Sequence, residues 1–233
     1  MDAWRRLRAR EGGRTTVIDL YEMIATPRGL APHQLAWEDR VPLIRSIMGD
    51  VWPGFEQTAG SERRGELIRV VDYDEEWPQR FVRWREVLKA SLGEAALRIE
   101  HVGSTSVAGL AAKPVVDIQV SVADPADEAA YVPPLEELGL QLRSRDDVHR
   151  FFRPVPERPR DVHLHVCAAG SDWERDHLLF RDYLRAHPEV RERYASVKRD
   201  AAKVWADDGW AYTDAKSDVI LDLLEKAREE AQG

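Results

Sequence analysis

The sequence is poor in cysteine, in lysine relative to arginine, and in long apolar runs. Cys167 is the one cysteine in 233 residues, so no internal disulfide can form. No apolar run approaches the roughly 20 residues that a membrane-spanning helix needs, and no apolar stretch follows the first residues of the chain. We therefore expect a cytoplasmic protein without a membrane partner.

Net positive charge is also missing. The chain has 34 basic and 42 acidic residues, which gives a formal net charge of −8. A broad nucleic-acid surface normally needs a basic footprint, so the composition argues against one. A small anionic substrate is still compatible, because a few basic side chains and backbone N–H groups can bind a phosphate on an acidic protein.

The first part of the chain shows two short helical patterns. Apolar residues recur at helical spacing over residues 17–24, and a second set occurs over residues 37–48. A polar stretch at residues 58–66 then reads as a linker. We therefore predict a small helical N-terminal extension over residues 1–60, which packs on the core, mediates a homodimer or gates a site.

The second part, residues 67–230, alternates strand and helix patterns and then ends in helices. Period-2 patterns predict strands at 67–71, 97–102, 115–122, 150–153 and 161–166, the last two as a hairpin. Amphipathic patterns predict helices at 75–92, 173–186, 188–205 and 214–230. This order predicts an α+β fold: a mixed β-sheet core with flanking helices and a helical C-terminal part.

A glycine-serine turn follows the strand pattern that ends at Val102. Residues 107–112 look helical, so the turn would sit at a helix N-terminus, where backbone N–H groups and hydroxyls suit a phosphate. The ordinary alternative is a helix cap, for which serine and threonine are common. The residues concerned are Gly103, Ser104, Thr105 and Ser106.

Asp117 lies in the middle of an apolar strand pattern. Strand periodicity places it on one face with Gln119 and Ser121. An acid in such a run is unfavourable unless it is paired, hydrated or bound to a cation. A carboxylate facing a glycine-serine turn suits a Mg²⁺–phosphate site, but a local pair with Lys113 or an arginine is equally compatible.

Two histidines and a lysine complete the candidate residues. His163 and His165 share a strand face with Asp161, where imidazoles could bind a metal, move a proton or simply face solvent. No zinc signature accompanies them. Lys216 is predicted in the first turn of the last helix, where it does not complement the helix dipole, which indicates another task.

Long motifs then occur in a recognisable order. They are RVVDYDEEWP at 69–78, IEHVGSTSVAGLAAKPVVDI at 99–118, HLHV at 163–166, HLLFRDYLR at 177–185 and YTDAKS at 212–217. On these motifs, which cover about residues 67–228, the chain strongly resembles the GrpB (UPF0157) family.

The resemblance implies a nucleotidyltransferase-like fold of the DNA polymerase β type. That superfamily moves a nucleoside monophosphate from a nucleoside triphosphate to an acceptor. Its signature is a glycine-serine turn, then a strand with two acids one residue apart, then a third acid on a neighbouring strand. Gly103, Ser104 and Asp117 match the first parts, whereas Gln119 stands at the second acid.

The leading hypothesis is a nucleotidyltransferase that uses Mg²⁺ or Mn²⁺ and acts on a small-molecule or protein acceptor. Because two cations need more carboxylate than Asp117 alone supplies, histidines or Glu100 would have to contribute. The alternatives are a non-catalytic nucleotide-binding module and a metal-assisted enzyme that uses the His163/His165 face. The assigned roles are catalysis for Asp117, Ser104 and Lys113; nucleotide binding for Gly103, Ser104, Thr105, Ser106 and Lys216; and metal binding for Asp117, His163, His165 and Glu100.

Overall fold

The strands of the chain form one mixed sheet. The structure is a computed structural model that describes residues 17–40, 56–57 and 67–232. The sheet order is β1-β4-β5-β6-β3-β2, in which β3 and β6 are parallel and the other neighbours antiparallel. The strands are β1 (Glu56–Gln57), β2 (Arg98–Val102), β3 (Val116–Val122), β4 (Leu140–Arg145), β5 (His149–Pro154) and β6 (Val162–Ala168).

Helices flank this sheet and make up most of the C-terminal part. The predicted α+β architecture is therefore confirmed, and so are the hairpin of β5 with β6 and the predicted helices of the C-terminal part. The helices are α1 (Val17–Ala25), α2 (Glu76–Leu92), α3 (Val132–Glu137), α4 (Asp172–Ala186), α5 (Pro188–Val204), α6 (Gly209–Asp214) and α7 (Ser217–Gln232). No helix among the described residues is long and apolar enough to cross a membrane.

The two faces of the sheet differ in character. Val116, Ile118 and Val120 of β3 are fully buried and belong to one apolar core with residues of α2 and α3. The alternating residues of β3 face the other side of the sheet, where α4 covers part of the surface. In the parallel register, Asp117 lies beside His163 and Gln119 beside His165. The polar residues of two adjacent strands therefore share one face.

Two predicted elements are wrong. Residues 67–71 form no strand, because their backbone makes a single isolated bridge, from Val71 to Ala112. Residues 107–112 form no helix. After the 3₁₀ turn Ser104–Ser106, Val107 is extended and Gly109 takes a φ of +77°. Burial of Val107 and Leu110 in a core with α4, α5 and α7 replaces helical hydrogen bonding there.

Residues 17–40, the N-terminal segment, pack on the C-terminal helices. Tyr21 and Leu35 are buried in one cluster with Trp205 and Tyr212. Of the roles predicted for the extension, packing on the core is thus observed. Residues 37–40 are helical as predicted, while the rest of that helix and the predicted linker lie outside the described residues. β4 and the short α3 and α6 were not predicted.

Candidate functional site

The glycine-serine turn lies directly against Asp117. Gly103 has a φ of +66°, and a Cβ atom built there would be 2.4 Å from Asp117 Oδ2. A side chain at this position would meet both an unfavourable backbone conformation and the carboxylate. The turn and the carboxylate can approach this closely because residue 103 is glycine, so the structure brings the two predicted halves of the site together.

Hydrogen bonds inside the turn use two of its three hydroxyls. A bond of 3.0 Å joins Thr105 Oγ1 to His101 Nε2, and Ser106 Oγ donates to the Gly103 carbonyl at 2.6 Å. Both hydroxyl residues are buried. The His101 ring stacks on Phe81 at 4.8 Å, and burial lowers the pKa of His101 to about 4. Thr105 and Ser106 therefore shape the turn, whereas Ser104 Oγ bonds to Lys198.

Two arginines of α4 hold the turn from outside. Arg181 donates to the His101 carbonyl at 3.1 Å and pairs with Glu100 Oε2 at 2.9 Å. Arg185 donates to the Ser106 carbonyl at 2.9 Å. Glu100, predicted as a metal ligand, thus has an arginine on its carboxylate. Its position in β2 is opposite Gln119 rather than Asp117.

Asp117 accepts a hydrogen bond from the strand that carries the two histidines. His163 Nδ1 is 3.1 Å from Asp117 Oδ1, and His165 Nε2 lies 3.8 Å from the same oxygen. Burial alone would raise the pKa of Asp117, but the hydrogen bond from His163 and the proximity of His165 hold it well below its usual range. Burial lowers the pKa of His163 to about 3, and Asp117 only partly opposes that shift. The pair is therefore a carboxylate with a neutral imidazole.

The second acid position is occupied by a buried amide. Gln119 is fully buried, and neither its amide nitrogen nor its amide oxygen has a hydrogen-bond partner among the described residues. Within those residues, no three His, Cys, Asp or Glu side chains converge to hold a metal ion. A pair of Mg²⁺ or Mn²⁺ ions needs several anionic oxygen ligands. Asp117 beside a neutral amide does not fit that requirement.

A buried lysine contacts the turn from α5. Lys198 Nζ donates to Ser104 Oγ at 2.9 Å and to the carbonyl of Ala111. The ammonium group also lies 4.7 Å from the ring centre of Tyr194, whose hydroxyl bonds to Ser104. Burial, with a contribution from the nearby Lys216, lowers the pKa of Lys198 to about 6. Sequence reasoning did not identify this residue.

Two further lysines lie on the ring of Tyr212. Lys216 Nζ is 4.3 Å and Lys113 Nζ 5.2 Å from its centre, which is cation–π distance. Lys216 lies in the turn before α7, and not in the first turn of that helix as predicted. Burial and then the charge of Lys113 lower the pKa of Lys216 to about 7.

We call Lys113, Lys198 and Lys216 the lysine cluster. The whole chain has six lysines among its 34 basic residues, and three of them gather at this site. Asp117 is the anion that acts on both Lys198 and Lys216. Lysines that lower one another's pKa in a partly buried place favour a ligand with several negative charges. The scarcity of lysine was a signal in the sequence that could have indicated the cluster.

A row of aromatic rings extends the polar face away from Asp117. His165 Nδ1 lies 2.9 Å from His149 Nε2, and the His149 ring stacks on Trp173 at 4.6 Å. Trp173 in turn stacks on His177 at 3.7 Å. Burial lowers the pKa of His177 to about 4 and that of His149 well below its usual range. Neutral, stacked rings of this kind bury an otherwise polar sheet face under α4.

These features define an α+β domain in which a glycine-serine turn lies against the carboxylate of Asp117. The family model described as GrpB protein matches residues 67–226. A UPF0157 protein of Halalkalibacterium halodurans is 43% identical over 164 residues, which cover 69% of this chain and 82% of that protein. The chain therefore belongs to the GrpB family, as its motifs predict.

Solved structures agree with this assignment. The crystal structure of the conserved protein GrpB from Enterococcus faecalis matches with a TM-score of 0.64 and 28% identity, over 71% of this chain and 100% of that one. The GLD-2/RNP-8 complex matches with a TM-score of 0.45 and 17% identity, over 64% of this chain and 60% of that one. The second similarity is too low to inform the chemistry.

Proposed function

We propose that the chain binds the phosphates of a nucleoside triphosphate and transfers its nucleoside monophosphate to an acceptor. The observation that carries this proposal is the position of the lysine cluster. Lys198 bonds to Ser104, while Lys113 and Lys216 share the ring of Tyr212. Half of the lysines in an acidic chain thus lie close enough to interact with one another, and one of them contacts the glycine-serine turn.

Electrostatics support a polyphosphate as the ligand. Burial, and then repulsion between neighbouring ammonium groups, disfavours the charged forms of Lys198 and Lys216 and lowers their pKa values to about 6 and about 7. A triphosphate brings several negative charges and restores the charged form of both lysines. The hydroxyl of Ser104 and the backbone of the turn add hydrogen-bond donors to the same anion.

The reaction assigns a separate role to each group. An acceptor oxygen or nitrogen attacks the α-phosphorus, the bond from that phosphorus to the bridging oxygen breaks, and pyrophosphate leaves. Lys198 and Lys216 stabilise the charge that develops on the pyrophosphate. Asp117 accepts the hydrogen bond of the attacking group and orients it, and the proton of that group passes to water as the new bond to phosphorus forms. Because two protein-bound cations do not fit beside Gln119, the proposal contains no step on a protein-bound metal.

A second candidate is nucleotide binding without transfer. Gln119 is a neutral amide at the position of the second acid, and Arg181 neutralises Glu100 at 2.9 Å. A site with one carboxylate can bind a nucleotide through its lysines and still lack what transfer requires. This candidate predicts the same affinity for nucleotides but no labelled product. The small-molecule or protein nature of the acceptor, a cytoplasmic location and a homodimer stay predictions.

The decisive experiment is a nucleotide screen on the full chain. Thermal melting is followed with ATP, CTP, GTP and UTP, each with Mg²⁺, with Mn²⁺ or with a chelator. A ligand at 100 times its Kd stabilises the folded state by about 2.7 kcal/mol, which melting detects easily. Transfer is then followed with nucleotides labelled at the α-phosphate. If no nucleotide binds under any of these conditions, both candidates are wrong.

A matched pair of lysine variants tests the site itself. Lys216→Gln removes one ammonium group from the lysine cluster and should raise the Kd for the nucleotide about tenfold, as expected for one hydrogen bond to a charged group. Lys226→Gln removes an exposed lysine that pairs with Asp222 on α7 and should leave the Kd unchanged. Equal effects of the two variants on the Kd would contradict the proposed site.

A further inference from the structure

The N-terminal segment contacts the helix that carries part of the lysine cluster. It lies outside the stretch 67–226 that matches the GrpB family. Its Tyr21 and Leu35 are buried in one cluster with Trp205, at the end of α5, and with Tyr212 of α6. Tyr212 is the residue whose ring lies under Lys113 and Lys216. A segment outside the family match thus packs around a residue of the candidate site.

A buried carboxylate joins the two parts. Asp208 Oδ2 accepts the Tyr21 hydroxyl at 2.8 Å and lies 3.4 Å from Arg40 Nη1. Its other oxygen accepts the backbone N–H groups of Trp210 and Ala211, both at 3.0 Å, in the first turn of α6. Asp208 is 0% and Arg40 2% exposed. Because both charges are buried, the loss of one partner would leave the other uncompensated.

The helix α6 is too short to hold its own position. An isolated helix of its length has no stability in water, so its orientation depends on its cap and on its packing. The N-terminal segment contributes at both ends. Tyr21 and Arg40 hold the capping residue Asp208, and the backbone N–H of Ile18 donates to Asp214 at 3.0 Å at the other end.

We propose that the N-terminal segment is a positioning element of the phosphate site. Through Asp208 it fixes α6, and thereby the ring of Tyr212 under Lys113 and Lys216. Loss of the contacts of Tyr21 and Arg40 with Asp208 lets the two lysines leave that ring and enter solvent. The effect on the lysines stands by itself, whereas the effect on nucleotide affinity rests on the proposed function.

The first test needs no nucleotide. Tyr21→Phe removes the hydroxyl and keeps the ring, Arg40→Met removes the buried charge, and Arg28→Met removes an exposed pair with Asp39 in the same segment. An amine reagent is applied to each folded protein, and the labelling rate of every lysine is read by mass spectrometry. Lys203 and Lys226, both exposed on their helices, serve as internal references.

We expect faster labelling of Lys113 and Lys216 in Tyr21→Phe and Arg40→Met, and unchanged rates at Lys203 and Lys226. Arg28→Met should match the wild type at all of these lysines. Unchanged rates at the two site lysines would overturn the inference. A uniform increase at every lysine would also overturn it, because that result is general loosening of the fold. Tyr21→Phe keeps the test available if Arg40→Met does not fold.

The second test measures affinity for ATP. Arg40→Met should raise the Kd about tenfold, the loss expected from one charged hydrogen bond, and Tyr21→Phe should raise it less. Arg28→Met should leave the Kd unchanged. If the wild type binds no nucleotide, the proposed function is wrong, and the labelling rates alone decide the positioning role. If the wild type binds ATP and all three variants bind equally well, the positioning role is wrong.

Discussion

The two faces of β3 show how one strand serves two purposes. Val116, Ile118 and Val120 face an apolar core in which burial alone stabilises them. The alternating residues face the site, where each polar atom needs a partner. Asp117 has His163, and Ser121 donates its hydroxyl to Glu174. Gln119 has no partner among the described residues, so the polar face is incomplete at the position next to Asp117.

This difference predicts that substitutions on the two faces act on different quantities. Changes on the apolar face should lower the free energy of unfolding and leave ligand binding alone. Changes on the polar face should affect turnover or affinity with smaller effects on stability. The predictions below separate the two faces, and the substitutions are ordered by decreasing effect.

The largest effect is expected for Asp117→Asn. The amide keeps the shape of the carboxylate but removes the charge that orients the attacking group, so turnover should fall about 10³-fold. The Kd for the nucleotide should change only a few-fold, because the lysine cluster is intact. Transfer assays and calorimetry measure the two quantities. The control is Asp161→Asn, which changes an acid just before β6. Wild-type turnover in Asp117→Asn would contradict the prediction.

Ile118→Ala tests the other face of the strand. Ile118 is fully buried, and truncation should lower the free energy of unfolding by about 3 kcal/mol through lost burial and a residual cavity. Urea unfolding measures this change. At a temperature where the variant is folded, its Kd for the nucleotide should equal that of the wild type. A decrease in the free energy of unfolding of less than about 1 kcal/mol would mean that the neighbouring side chains relax and fill the cavity.

Gln119→Leu tests whether the buried amide stabilises the fold. Because neither amide atom has a partner within the described part of the chain, leucine should keep the free energy of unfolding or raise it by about 1 kcal/mol. A decrease in the free energy of unfolding of more than about 1 kcal/mol would show that the amide makes hydrogen bonds in the folded protein.

Gln119→Glu is the matched variant that introduces a second acid. Its melting temperature should rise with Mn²⁺ more than that of the wild type does.

A further prediction is a dependence of stability on pH that comes from the lysine cluster. The folded-state pKa values are about 6 for Lys198 and about 7 for Lys216, against an ordinary value of 10.5. Between these values the unfolded chain binds more protons, so stability should rise with pH from about 7 to about 10. Nucleotide affinity should fall over the same range, because phosphates favour charged lysines. Scanning calorimetry at pH 7 to 9 measures how steeply stability rises with pH, and Lys216→Gln should make that rise less steep.

Local signals in the sequence predicted much of the fold and the centre of the site. Period-2 alternation was sufficient for β3, because a residue in the middle of a strand has its face set by its neighbours in the chain. The turn at Gly103 was also predictable from the sequence, since a positive φ is a local property of glycine. The helix predicted for residues 107–112 was wrong because core packing of Val107 and Leu110 overrode local preference.

The rest of the site depends on contacts between distant parts of the chain. Lys198 and Ser104 are 94 residues apart, and no local pattern links them. Thr105 and Ser106 had the same local character as Ser104, yet their hydroxyls turn inward to His101 and Gly103. Glu100 was expected to bind a metal, and its carboxylate pairs with Arg181 of α4. Each of these outcomes was decided by which helix packs over the turn.

Local sequence was sufficient to predict the turn at Gly103, the strand with Asp117 on its polar face, and the membership of the GrpB family. These features follow from residues close together in the chain, whose spacing sets backbone conformation and side-chain direction. The tertiary structure alone decided which charges surround Asp117. Packing of the C-terminal helices placed two arginines on the turn and Lys198 on Ser104, because the partner of a buried charge is set by proximity in space.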